Sequence, residues 1–136
     1  MSEFIASISG LHDFLVYFVV AVALTAVFLA VYVRATPYPE ISLIRQGNTA
    51  AALSLSGALL GFIIPLATAI AHSVAWWDML FWGGVALVVQ LLSYFAVRMF
   101  VPSLSQDIPA GNVAQGLLLA TISLGIGILN AASLTY

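Results

Sequence analysis

Four long stretches without a charged residue leave this chain few ways to fold. They lie between Asp13 and Arg34, between Arg45 and His72, between Asp78 and Arg98, and from Asp107 to the end. A helix needs about 20 apolar residues, rising roughly 1.5 Å each, to cross the hydrocarbon of a bilayer. Each stretch is about that long. In lipid every backbone N–H and C=O must find its partner within the segment, so the stretches are expected to be helices. The short alternating segments of a membrane barrel are not visible. Composition then decides the solvent. The 136 residues are 63% hydrophobic and 6% charged, whereas soluble domains carry about a quarter charged residues. The expected class is an all-α membrane protein with four transmembrane helices, one integral membrane domain over residues 1–136.

The chain also repeats itself. One constant shift lays Arg34 on Arg98, Gly47 on Gly111, Asn48 on Asn112, Ala50 on Ala114 and Gly61 on Gly125, with a series of Ile, Leu and Val matches between them. Apolar coincidences mean little here, but Arg and Asn are scarce. Two copies are expected, repeat 1 over about 12–73 and repeat 2 over about 76–136. Each contributes two spans, so the copies keep the same orientation, as two parallel two-helix repeats about a pseudo-two-fold axis along the membrane normal.

All three basic residues, Arg34, Arg45 and Arg98, fall in the links between spans 1 and 2 and between spans 3 and 4. They read as inner-interface anchors. The positive-inside rule places those links in the cytoplasm and both termini outside. Trp76, Trp77 and Trp82 then match an outer aromatic belt. The N-terminus, with Glu3 and Asp13, lacks the basic region of a signal peptide and is expected to remain as the first span. Span 1 is placed from about His12 to Arg34, and the chain is expected to stop at Tyr136 near the outer interface.

Candidate polar, pore or packing residues lie along spans 2, 3 and 4. Asn48 and Asn112 read as N-caps of spans 2 and 4, Gln115 adding a capping-box variant. The sharper reading has the two Asn side chains facing each other at an inner mouth that favours an anion. Ala50, Ser54, Gly57, Gly61 and Pro65 form one small-residue face of span 2. Gly57 and Gly61 admit a close neighbour there, and Pro65 frees the Gly61 carbonyl. Gln90, near the middle of span 3, shares a face with Gly83 and Ser93 and must meet a partner, because an unpaired amide is expensive in lipid. Asn130 stands in span 4 beside Leu129, where the first copy has Pro65. Asp78 is expected to cap span 3. Between Thr36 and Gly47, an ordinary loop and a short amphipathic turn on the membrane surface both stand.

The chain resembles the YjfL-like family of small bacterial inner-membrane proteins. The resemblance rests on Thr36-Pro37, Asn48-Thr49-Ala50-Ala51, the run from Ser56 to Leu66, the run from Trp82 to Leu92, and Gly127-Ile128-Leu129-Asn130-Ala131-Ala132. It implies four spans with a duplicated unit and a bacterial inner-membrane location. The family is a domain of unknown function, so it supplies no catalytic or binding residue. Some relatives lie in gene neighbourhoods with envelope-stress proteins or polyamine-related enzymes.

Function classes can be narrowed. A net charge of −2 without lysine excludes the basic patch a nucleic-acid partner requires. Cysteine is absent, and His12, Asp13, His72 and Asp78 lack any metal-ligand spacing. The chain is not expected to be an enzyme, and no metal or cofactor is expected. Its partners are the lipid bilayer and other membrane helices. One reading is a packing scaffold or accessory subunit in a homo-oligomer or with an envelope-stress protein. The alternative is an oligomeric pore for a small solute or ion, lined by Gln90, Asn130, Ser54, Ser56 and the Asn48/Asn112 pair.

Overall fold

A computed structural model describes residues 1–134; Tyr136 and the end of the expected second repeat lie outside them. The elements run α1 Ser2–Ala35, α2 Glu40–Arg45, α3 Thr49–His72, α4 Trp76–Phe100, α5 Leu104–Asp107 and α6 Val113–Ser133. Among the described residues α1, α3, α4 and α6 are long and apolar enough to cross a membrane. The four uncharged stretches are these four helices.

The centre is the pair α3 and α6. Small residues let their backbones meet: Gly57 lies against Ala120, Gly61 against Ser123 and Gly127, and Gly116 against Ala50. Residue numbers rise together along both helices, so the two run parallel. A Cβ at Gly116 would sit 2.6 Å from the Ala50 carbonyl oxygen, so only glycine fits there. In lipid, where burial of apolar surface gives no drive, such close van der Waals contact is what holds helices together. The face Ala50, Ser54, Gly57, Gly61 and Pro65 is buried throughout, and it is spent inside the bundle, against α6.

α1 and α4 pack outside this pair. Phe28 of α1 stacks on Phe62 of α3 with ring centroids 4.4 Å apart, and Tyr32 meets Tyr94 of α4 edge-on at 5.8 Å. Leu24 fills the space over Gly83. Only the second half of α1 is held this way; Phe28 and Tyr32 are its buried residues. α1 is also longer than expected. It begins at Ser2 rather than near His12, and its 34 residues span about 50 Å, against roughly 30 Å of hydrocarbon. Nothing in Ser2–Leu11 breaks a helix, and Glu3 in the first turn suits its positive end.

The two links fold alike. α2 and α5 each end in a left-handed glycine, Gly47 at φ 85° and Gly111 at φ 83°. Asn48 N–H donates to the Leu43 carbonyl and Asn112 N–H to the Asp107 carbonyl, both at 2.9 Å, the six-to-one closure of a Schellman turn. Each Asn then caps the next helix. Asn48 accepts from Ala51 N–H at 3.0 Å and Asn112 from Gln115 N–H at 3.3 Å. Between Thr36 and Gly47 the chain forms the helical turn α2 with Ile41 and Arg45 outward. Asp78 does not cap α4. The cap is Ala75, and Asp78 sits in the first turn, where its charge still suits the helix N-terminus.

Candidate functional site

Two polar clusters interrupt the apolar interior, and only one of them was legible beforehand. The first lies at mid-bundle, where α3, α4 and α6 meet. The buried Gln90 donates from Nε2 to the Ser123 carbonyl at 2.9 Å, across from α4 to α6. Gly61 makes room for this bond: any Cβ there would strike the Ser123 carbonyl and Gln90 Nε2. Pro65 has no N–H for the Gly61 carbonyl, and that oxygen lies against the Gly127 backbone instead. Gly57, Gly61, Pro65 and Gln90 are therefore one assembly. Gln90 Oε1, Ser93 Oγ and Ser123 Oγ are buried nearby with no hydrogen-bond partner.

The remaining expected residues stand elsewhere. Ser54 is buried, but its hydroxyl donates to its own helix at the Ala51 carbonyl, 3.1 Å away. Ser56 is exposed on the far side of α3. Asn130 Nδ2 is buried and unpartnered towards the end of α6, a turn beyond the knot. The two capping asparagines do not face each other. Asn48 reaches from α3 to the second link, donating to the Ile108 and Pro109 carbonyls at 3.0 and 3.2 Å, while Asn112 is exposed. A depression of about 340 Å³ between the two glycine turns includes Gln46, Asn48 and Gly111. Asn112 does not line it, and Asn48 spends its donor and acceptor on the backbone.

The second cluster was not anticipated. Glu40 opens α2 and is 1% exposed. Thr36, itself buried, donates from its hydroxyl to Glu40 Oε1. Glu40 Oε2 and the hydroxyls of Tyr32, Tyr38 and Tyr94 are all buried without a hydrogen-bond partner. The Tyr38 and Tyr94 hydroxyls lie near enough to affect one another, yet neither closes a bond of ordinary geometry. Burial pushes the Glu40 carboxyl from the usual 4.5 up to about 7, against the opposing bond from Thr36. Burial also raises the Tyr38 phenol, so it stays protonated. An acidic residue after two prolines in a link reads as a surface group. The signal that could have singled it out is the clustering of Tyr32, Thr36, Tyr38 and Glu40 in one short segment.

The three arginines mark the same end of the bundle, Arg34 and Arg45 exposed and Arg98 half-buried. Among the described residues no three His, Cys, Asp or Glu side chains gather as metal ligands.

These features define a close-packed, four-span helical membrane protein with a polar knot at its centre and a buried acid at one end. The chain belongs to the family described as Domain of Unknown Function (DUF350), which matches residues 6–134. It is 43% identical over 129 residues to the UPF0719 inner membrane protein YjfL of Escherichia coli (strain K12), covering 95% of this chain and 98% of that one. The UPF0719 transmembrane protein YshE of Bacillus subtilis (strain 168) is 31% identical over 120 residues, 87% of this chain and 90% of the relative. No solved structure matches.

Proposed function

We propose that this inner-membrane protein is a packing scaffold or accessory subunit, built of two like-oriented two-helix repeats, which associates with a second copy of itself through α1. The carrying observation is how loosely α1 is held. Its first half touches the body little. Between it and α3 two adjoining clefts of about 460 and 540 Å³ share Phe18, Ala21 and Ile70. Together they make a lateral, mostly apolar groove. The first turns of α1, with Phe4, Ile5 and Ile8 exposed, extend past the hydrocarbon if Arg34 holds the other end at the inner interface, and apolar surface in that position favours a cover. The repeat draws support from the parallel α3–α6 pair and the matching glycine turns. Positive-inside placement of the arginine-bearing links would put both termini outside.

No enzymatic step is proposed. The pore reading finds less support, because Gln90 donates within its own bundle and Ser54 and Ser56 point to opposite sides of α3. The chain has no native cysteine, which makes the test direct. Single-cysteine variants F18C and V22C, treated in native membranes with a bifunctional thiol reagent, should give cross-linked dimers. L92C, on an exposed face of α4, should not. Monomers at every position would overturn the proposal.

A further inference from the structure

We propose that Glu40, Tyr32, Tyr38 and Tyr94, with Thr36, form a buried binding site for a single positive charge, a proton or an alkali-metal ion, at the arginine-bearing end of the bundle. The fold itself does not require these groups. The shift that lays Gly47 on Gly111 lays Glu40 on Leu104, and each residue opens its short helix. Leu104 is 0% exposed and Glu40 1%. A leucine thus fills in the second copy the place that a carboxyl fills in the first. The same shift puts Ala96 at Tyr32, Phe100 at Thr36 and Pro102 at Tyr38. Tyr32, Thr36, Tyr38 and Glu40 thus have no counterpart in the second copy, and Tyr94 of α4 has Ala30 at its place in the first, so packing alone does not call for them.

Isolated carboxylates are costly to bury, and this one makes no ion pair; the nearest cation, Arg98, acts on Tyr94. The groups facing it are Tyr32 from α1, Thr36 and Tyr38 from the link, and Tyr94 from α4, with Arg98 one turn further on. The one ion pair among the described residues is His12 with Asp13. Arg34 and Arg45 are exposed, Asp107 of α5 accepts from Ser103 at 2.8 Å, and the only titratable residue of α3 is His72 at the opposite end. One acid among neutral oxygens is balanced by one positive charge. A divalent ion would leave an excess charge buried, and it prefers several carboxylates.

Both occupants suit the oxygens present. A proton on Glu40 lets it donate to Thr36, whose own hydrogen can then go to the Val33 carbonyl at 3.2 Å. An alkali ion would instead draw on Glu40 Oε2 and the phenol oxygens, all of which lack partners.

Glu3 and Glu40 are the only glutamates, and Glu3 is exposed. Labelling glutamate with carbon-13 at the side-chain carboxyl therefore gives two signals in the full chain, assigned with E3Q. In micelles the Glu40 signal should titrate near pH 7, well above the usual carboxylate range. Adding Na⁺ or K⁺ in place of a bulky organic cation lowers the Glu40 midpoint if the alkali ion is bound, and leaves it fixed if the proton alone is the ligand. Y38F should reverse part of that lowering when the alkali ion is bound. A Glu40 signal that titrates in the usual carboxylate range, unmoved by either ion, would overturn the proposal without any need for a variant at Glu40.

Discussion

A single carbon atom decides whether α3 and α6 can meet. At Gly61 an added Cβ has nowhere to go, since the nearest atoms are a backbone carbonyl and the Gln90 amide that donates to it. At Gly84, on α4, nothing lies within 4 Å. Gly61→Ala should therefore destabilise the bundle by about 1–3 kcal/mol through overpacking, while Gly84→Ala should be neutral or slightly stabilising through helix propensity. Thermal unfolding in micelles, followed by circular dichroism, compares the two. Equal midpoints would contradict the packing described. Gly61 was legible in advance, because Gly57, Gly61 and Pro65 share a helical face. The partner of Gln90 was not. It is a backbone carbonyl, and every residue in α6 has one; only the approach of two helices selects Ser123.

Among the elements, the links show the most local control. Gly47 and Gly111 adopt a backbone region that side chains resist, and each precedes a capping asparagine. This pattern is readable because it involves neighbours in sequence. What is not readable is that the two asparagines differ. Asn48 caps α3 and also ties it to the Ile108 and Pro109 carbonyls, whereas Asn112 caps α6 through one longer bond. Asn48→Ala should cost about 1–2 kcal/mol and Asn112→Ala less than 1 kcal/mol, by the usual worth of a cap. The reverse order in unfolding midpoints would show that the tie between the links carries no weight. The helical form of α2 resisted reading for a related reason. Its six residues are too few for periodicity to declare itself, and Glu40 turns inward only because Tyr32 and Tyr94 are already packed beneath it.

For the whole molecule, the buried acid predicts a stability that depends on pH with a definite sign. The folded state holds the Glu40 proton more tightly than the unfolded chain, with a midpoint near 7 against 4.5. As pH rises above 4.5 the unfolded chain releases its proton first, so folding weakens until the folded state also ionises near pH 7. The loss is on the order of 3 kcal/mol by the shift in midpoint. Unfolding midpoints without alkali salt should fall from pH 5 to pH 8 in the wild type and stay level in Glu40→Gln. A wild-type profile that is flat or rising over that window would contradict the burial of this carboxyl. Four spans and the parallel pairing of α3 with α6 were legible because lipid leaves helices as the main choice. The departure of α1 and α4 from equivalent packing was not: α4 packs firmly on both α3 and α6, whereas α1 packs on α3 and α4.

That departure bears on how the molecule meets membranes of unequal thickness. Three spans are fixed to one another by glycine contacts and the Gln90 bond and can adjust only as a block. α1 is long, is gripped at Leu24, Phe28 and Tyr32, and is loosely held over its first half. A thicker or thinner bilayer should therefore be absorbed by the tilt of this one helix about its aromatic clasp, opening or closing the seam along α3 while the block keeps its form.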